Sequence, residues 1–231
     1  MARSMTLENG FLLVNKPEGI TSHDVVDRLR EVTGIKKIGH AGTLDPFAAG
    51  LLILAVGREA TKRIDKMVKL DKKYKAEIQL GAESDTHDKN GNIIETTFEY
   101  YPSLQEAKRT LSRFVGEVEQ IPPMHSAKKV KGRKLYELAR RGVEIERESI
   151  RVNIYDIDPL SYKDQVLTIS VYCSSGTYIR TLAYDIGRSL GTGGYLRNLH
   201  RSAIGEYTSD QATELDHITA SNWRELLFSP E

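Results

Sequence analysis

Apolar residues recur along the 231-residue chain with two periods, and these predict its elements. Phe11-Leu12-Leu13-Val14 is an unbroken apolar run that reads as a buried strand, closed by the turn Asn15-Lys16-Pro17-Glu18-Gly19. Thr21 or Ser22 then caps a helix whose Val25, Val26, Leu29 and Val32 share one face, with Gly34 as its stop. A glycine-studded loop from Gly39 to Pro46 leads into a second apolar run, Leu51 to Val56. Tyr74 to Leu80 alternates strictly, which puts Tyr74, Ala76, Ile78 and Leu80 on one face of a strand.

Ser103 to Val115 carries Leu104, Ala107, Leu111 and Phe114 at helical spacing, and Leu135 to Arg141 reads as a short basic helix ending at Gly142. Two β-rich runs follow, Arg151–Ile157 and Gln165–Cys173. The most amphipathic helix is 178–190, with Ile179, Leu182, Ala183, Ile186 and Leu190 inward. Strands and helices alternate irregularly, which predicts an α+β (mixed α/β) fold rather than a doubly wound sheet. With no repeat of 20–50 residues and no Pro/Ser-rich linker, residues 1–231 read as a single domain.

Composition narrows the class. Residues of the set AVILMFWYC make up 39% and charged residues 28%, values of a chain with a core, which excludes wholesale disorder. The single cysteine, Cys173, excludes an internal disulfide and a Cys-rich zinc site. The N-terminus lacks an apolar stretch of signal-peptide length, and the longest uncharged run, Pro46 to Gly57, falls short of the roughly 20 residues of a membrane span. A soluble, cytoplasmic protein is expected. Net charge is only +1, from 33 basic and 32 acidic residues, but it is unevenly spread. Lys62, Arg63, Lys66, Lys69, Lys72, Lys73 and Lys75 crowd 61–75, and Lys128, Lys129, Lys131, Arg133, Lys134, Arg140 and Arg141 crowd 128–141. Each stretch alone reads as a solvated face. Together, with Tyr74 and Tyr136 interleaved, they also fit a phosphate-backbone footprint.

Two segments carry candidate chemistry. Gly39-His40-Ala41-Gly42-Thr43-Leu44-Asp45-Pro46 combines small residues, a histidine and an aspartate fixed by the following proline, ahead of an apolar run able to anchor it. The same residues are also compatible with an Asp-Pro turn and a capping carboxylate. In Ser174-Ser175-Gly176-Thr177-Tyr178-Ile179-Arg180 a strand gives way to a helix, with Thr177 the expected N-cap. Arg180 falls in the first turn, where the helix dipole disfavours a cation by roughly 0.3–1 kcal/mol; it is either an exposed arginine or the partner of a carboxylate such as Asp45. The six histidines show no metal-ligand spacing, and His87 between Asp85 and Asp88 reads as a surface residue. Asp85-Thr86-His87-Asp88-Lys89-Asn90-Gly91 lacks the glutamate that would complete a calcium loop. An Asp–Arg pair among aromatic and basic residues suggests chemistry on an RNA base, with neither metal nor redox cofactor.

At these residues the sequence resembles the TruB family of tRNA pseudouridine synthases, which isomerise uridine 55 of the T loop. The resemblance rests on the stretch from Gly10 to Ser22, on Gly39 to Pro46, on Lys73-Tyr74, and on Gln120-Ile121-Pro122-Pro123. It continues through Ser126-Ala127-Lys128, Gly176 to Thr181 and Leu196-Arg197, all in the family's order. It implies that Asp45 is the essential aspartate, that Arg180 pairs with it, and that Tyr74 stacks on the target base and assists loss of the C5 proton. It further implies that Tyr178 and Leu196 line the base pocket and that His40 packs where the extruded nucleotides leave the loop. The implied fold is a mainly antiparallel mixed sheet flanked by helices, with a cleft across it. The implied partner is the T-stem-loop of tRNA, with no cofactor, no metal, no membrane and no obligate protein partner, and a monomer is expected.

Residues of about 119–148 read as an insertion that clamps RNA, with Lys128, Lys129, Lys131 and Arg133, alongside Lys62 and Lys72, as backbone contacts. His125 departs from the aromatic residue usual in the family before Ser-Ala. Residues of about 206–231 are too few for the C-terminal RNA-binding domain of longer members. Three rivals remain: an RNA-folding chaperone that binds the same elbow, a guide-dependent relative, and a nucleoside glycosidase.

Overall fold

A computed structural model describes residues 9–124, 126, 129–130, 133–134, 143 and 145–230. In chain order the elements are β1 (Gly10–Lys16), α1 (Ser22–Thr33), β2 (Ile38–His40), β3 (Ala49–Val56), α2 (Arg58–Lys62), α3 (Ile64–Val68) and β4 (Lys72–Leu80). There follow β5 (Ala82–Ser84), β6 (Ile93–Glu95), α4 (Leu104–Leu111), β7 (Gly116–Gln120), β8 (Lys129–Val130), β9 (Arg133–Lys134), β10 (Ile150–Lys163) and β11 (Val166–Cys173). The last are α5 (Ile179–Ser189), β12 (Gly194–Ile204), β13 (Tyr207–Thr208) and β14 (Thr213–Glu214). They form two compact units, one from the residues up to Lys72 and from His200 onward, the other from Lys73–Leu199. The α+β class expected from the sequence is the one observed.

In the first unit the strand order is β14-β1-β3 and then β12 from His200 onward, with β2 on β3 and β13 on β12. β1 pairs antiparallel with β3 from Gly10↔Val56 to Lys16↔Gly50, whereas β14 on β1 and β12 on β3 are parallel. β3 is apolar throughout because both of its faces are covered. Leu52, Leu54 and Val56 pack with Val25, Val26 and Leu29 of α1, while Leu51, Ile53 and Ala55 pack with Ala60, Met67 and Ile204. Thr21 caps α1 through a reciprocal pair with Asp24, at 3.0 and 2.7 Å, and Gly34 ends it with φ +72°. After β12 the chain closes the core with short turns. Trp223 is buried with Leu215, Ile218 and Leu227, and Phe228 exchanges two 2.8 Å backbone hydrogen bonds with Phe11.

In the second unit β12 up to Leu199 is followed by β4, β11, β10 and β7. β10 pairs antiparallel with both β11 and β7. The predicted alternation of β4 is observed: Tyr74, Ala76, Ile78 and Leu80 are buried, and Lys73 and Lys75 exposed. α4 is shorter than its periodicity predicts, ending at Leu111 with a 3-10 turn over Ser112–Phe114. The capping box of Ser103 and Glu106 puts Leu104 at the first helical position, turned to solvent and half exposed, so it contributes nothing to the core. α5 lies directly against β12: a Cβ on Gly187 would stand 2.3 Å from the Gly194 nitrogen. The helix expected at Leu135–Arg141 lies outside the described residues.

Candidate active site

Asp45 sits on the loop between β2 and β3, whose backbone is tied down at Ala41, Gly42, Leu44, Pro46 and Ala48. The Ala41 N–H bonds the Ile53 carbonyl at 2.8 Å. The buried Ser22 hydroxyl accepts from the Leu44 N–H (2.9 Å) and donates to its carbonyl (3.1 Å). The Pro46 carbonyl accepts from the Gly19 N–H at 2.8 Å and from Lys16 Nζ at 3.4 Å. Ala48 N–H closes a turn onto the Asp45 carbonyl at 3.0 Å. Arg201 of β12 is buried and bridges the two ends of the loop, donating to the carbonyls of Leu51 (2.8 Å) and Gly42 (3.1 Å). Gly50 allows that approach: its φ is +106°, and a Cβ there would lie 2.4 Å from the Arg201 carbonyl oxygen. The backbone on both sides of Asp45 is thereby fixed.

Lys16 is also buried, its ammonium donating further to the carbonyls of Pro17 and Ile20 at 2.8 Å each. Burial pushes it down to about 8, while the nearby Asp45 and Glu18 carboxylates oppose that fall. His40, half-buried at the end of β2, is lowered by burial and by Arg201 and His23, so its ring is neutral at pH 7. Lys16 and Arg201 hold backbone carbonyls on either side of Asp45, those of Pro46 and Gly42. Lys16→Met and Arg201→Lys are each expected to lower kcat by about 10–100-fold with KM little changed, since a 1 Å misplacement costs on that order. Equal losses in kcat for Lys16→Arg and Lys16→Met, or a change confined to KM, would contradict this.

In the second unit α5 begins at Ile179 with Tyr178 as its cap residue, not Thr177, whose hydroxyl donates to the Ser174 carbonyl instead. Tyr178 has no side-chain cap, and the buried Gln120 supplies the missing partners. Its Oε1 accepts from the Tyr178 N–H (2.9 Å) and its Nε2 donates to the Tyr178 carbonyl (3.2 Å). Arg180 is buried and meets Asp88 at 3.2 Å, and donates to the Thr86 carbonyl at 3.4 Å. Asp88 also accepts from the Thr86 hydroxyl (2.8 Å) and the Asn90 N–H (2.9 Å). Its segment is laid on β12 by Leu196, whose N–H bonds the His87 carbonyl (2.9 Å) and whose carbonyl takes the Lys89 N–H (3.1 Å).

Asp88 is buried as the counter-charge of Arg180, while Asp85 is exposed. His87, read as surface, is half-buried and stacks on Tyr184 with centroids 4.1 Å apart. Burial, aided by Arg180 and Arg147, pushes it down to about 4. Because the folded value lies below the ordinary 6.5, the unfolded chain binds the extra proton between about 6.5 and 4, so this contribution is lost as pH falls through that window. Replacing the residue by Asn, which tolerates its φ of +61°, is expected to flatten the acid limb of the stability–pH curve there. An unchanged slope in urea titrations at pH 4–6.5 would contradict that assignment.

The predicted residues thus fall into two sets, each built within its own unit: His40 and Asp45 with Lys16, Ser22 and Arg201; and Tyr178, Arg180 and Leu196 with Asp88 and Gln120. Tyr74 is buried on β4, and Lys62 is exposed and paired with Glu59 at 2.8 Å. Lys72 is a correction. It is buried, its ammonium turned onto the carbonyls of Val68 and Leu70, because its position on β4 faces the same way as Tyr74 and Ala76. Lys128, Lys131 and His125 lie outside the described residues, and of Lys129 and Arg133 only the strand backbone is described. Among the described residues no group of three or more His, Cys, Asp or Glu side chains is placed to hold a metal ion. No described helix is long and apolar enough to cross a membrane.

Known proteins resemble this chain along most of its length. A family model described as TruB family pseudouridylate synthase (N terminal domain) matches residues 30–179, and one described as tRNA pseudouridylate synthase B C-terminal domain matches 180–227. The protein named tRNA pseudouridine synthase B from Protochlamydia amoebophila is 46% identical over 198 residues, covering 86% of this chain and 75% of its own. The protein of that name from Bordetella avium is 47% identical over 214 residues, covering 92% and 87%. Among solved structures, a Cbf5-Nop10-Gar1 complex superposes with a TM-score of 0.73 at 25% identity, covering 97% of this chain but 58% of that one. An archaeal box H/ACA sRNP Nop10-Cbf5 complex gives 0.69 at 22%, with the same coverages, and shows the fold alone. On the family model's span, and on identities of this size over most of both chains, the chain belongs to the TruB family of pseudouridylate synthases.

Proposed function

We propose that this chain is a stand-alone tRNA pseudouridine synthase that converts uridine 55 of the T loop to pseudouridine in the cytoplasm. The observation that carries the reading is an aspartate immobilised by its neighbours' backbone bonds, in a chain of a pseudouridylate synthase family. A uridine within a folded loop is unreachable until flipped out, at a few kcal/mol, and stacking on an aromatic at about 1–3 kcal/mol offsets that. Tyr74 takes the stacking role, Tyr178 and Leu196 line the base pocket, and His40 packs against the extruded nucleotides.

The Asp45 carboxylate attacks the flipped uridine, at the ring or at the sugar carbon, and the N1–C1′ bond breaks. The freed uracil turns, C5 bonds to C1′, the C5 proton leaves with help from Tyr74, and N1 gains a proton as Asp45 is released. Atoms and electrons balance, and the product is an isomer of the substrate. Arg180 is the fixed cation of the reaction, its guanidinium held by Asp88. Residues of about 119–148, through Lys128, Lys129, Lys131 and Arg133, clamp the RNA backbone, with Lys62 adding to the basic surface.

The test is incubation of an unmodified tRNA transcript with the purified chain and no other protein, followed by mapping of pseudouridine. Product at the T-loop uridine is expected. Tight binding of tRNA without product would replace this reading by that of an RNA chaperone or a guide-dependent enzyme.

A further inference from the structure

On the side of α5 that carries Leu182, Asp185 and Ser189, the second unit has a cleft of about 590 Å³, within the usual range for a small-molecule site. The 3-10 turn after α4 forms one wall with Arg113 and Phe114, and β7 forms another with Val118 and Gln120. Most polar groups around it are already engaged. Glu119 faces Arg151 at 3.5 Å, Arg188 faces Glu83 at 3.5 Å, and Gln120 is committed to the Tyr178 backbone. Two are not. Asp185 is half-buried yet has no hydrogen-bond or ion-pair partner among the described residues, and burial alone pushes its carboxyl up to about 6. Arg113, at the rim, likewise has none among the described residues.

We propose that this cleft is a guanine-nucleotide site, with the base edge on Asp185 and the phosphate on Arg113. A half-buried acceptor without a donor calls for a ligand that brings one. Of the four bases only guanine presents two adjacent donors, N1–H and the N2 amino group, to one carboxylate. Adenine, cytosine and uracil each place an acceptor beside their donor, and that acceptor repels an ionised Asp185. Phe114, Val118 and Leu182 supply apolar walls for the ring, and the unengaged guanidinium of Arg113 supplies the anion contact. The cleft shares Gln120 with the start of α5, so its occupant would lean on the residue that holds Tyr178.

The ligand could be a free nucleotide or a guanosine within RNA, and titration of the full chain with both separates them. GMP is expected to bind at least about tenfold more tightly than IMP, which lacks the second donor, and than AMP. Asp185→Asn is expected to bring GMP down to the IMP level. If that variant misfolds, Arg113→Ala provides the second arm, expected to erase the preference for GMP over guanosine. A short RNA with a single guanosine binding tenfold more tightly than GMP would assign the site to RNA, and binding no tighter would assign it to the free nucleotide. Equal affinity for GMP and AMP, no saturation at millimolar GMP, or a preference for GMP over guanosine that survives Arg113→Ala would overturn the proposal.

Discussion

Asp45→Asn is expected to remove pseudouridine formation by at least about 10⁴-fold while leaving tRNA affinity within a few-fold of wild type. The magnitude is that of deleting a nucleophile whose surroundings are left intact. Those surroundings should persist, because the loop is held through the backbone of Leu44 and Pro46 and through Ala41, none of which uses the Asp45 carboxylate. The amide is isosteric, so any fall in activity reports lost chemistry rather than lost shape. A second consequence is electrostatic. Lys16 sits near 8 with Asp45 as the first of the charges opposing its burial, so the variant should drop it further. Since a buried lysine lowered below its unfolded value binds fewer protons than the unfolded chain, the rise in stability from neutral to alkaline pH should begin earlier in the variant. Single-turnover assays with mapped product, together with denaturation across pH 7–10, check both. Appreciable product from Asp45→Asn would assign the chemistry elsewhere.

Asp88→Ala is expected to destabilise the second unit by about 3–5 kcal/mol, because it removes the buried carboxylate that faces the Arg180 guanidinium at 3.2 Å. In a protein of this size that corresponds to a fall in Tm of roughly 10 °C. The loss is larger than for a surface pair because Asp88 also takes the Thr86 hydroxyl and the Asn90 N–H, so the turn over β12 loses its closure as well. Replacing both partners by Asp88→Leu with Arg180→Met should recover most of the stability and none of the activity. That cycle separates a structural pair from a catalytic cation: recovery of turnover in the double variant would strip Arg180 of its proposed role.

Much of the frame was legible in apolar spacing. β1, α1, β3, β4 and α5 lie within a few residues of where their periods put them, since each buries a continuous stripe or face. The chain after Leu190 was not. β12 mixes Tyr195, Arg197, His200 and Arg201 with its apolar residues, and its burial depends on the strands beside it. The C-terminal turns that bury Trp223 have no period to detect.

The candidate site divides in the same way. Asp45, His40 and Arg180 stood out because small residues, an Asp-Pro step and a cation at a helix start are local oddities. The sequence by itself determined the class of fold, the loop that carries the aspartate and the family to which the chain belongs. Only the tertiary structure decided what holds them: Lys16 and Arg201 on loop carbonyls, Ser22 on Leu44, Gln120 on Tyr178 and Asp88 on Arg180. It also turned Lys72 inward. Each of these is a polar group withdrawn from water, and such a group is stable only where a distant segment supplies its partner. Hydrophobic periodicity is written along the chain, whereas the partners of buried polar groups are brought together only by the packed fold.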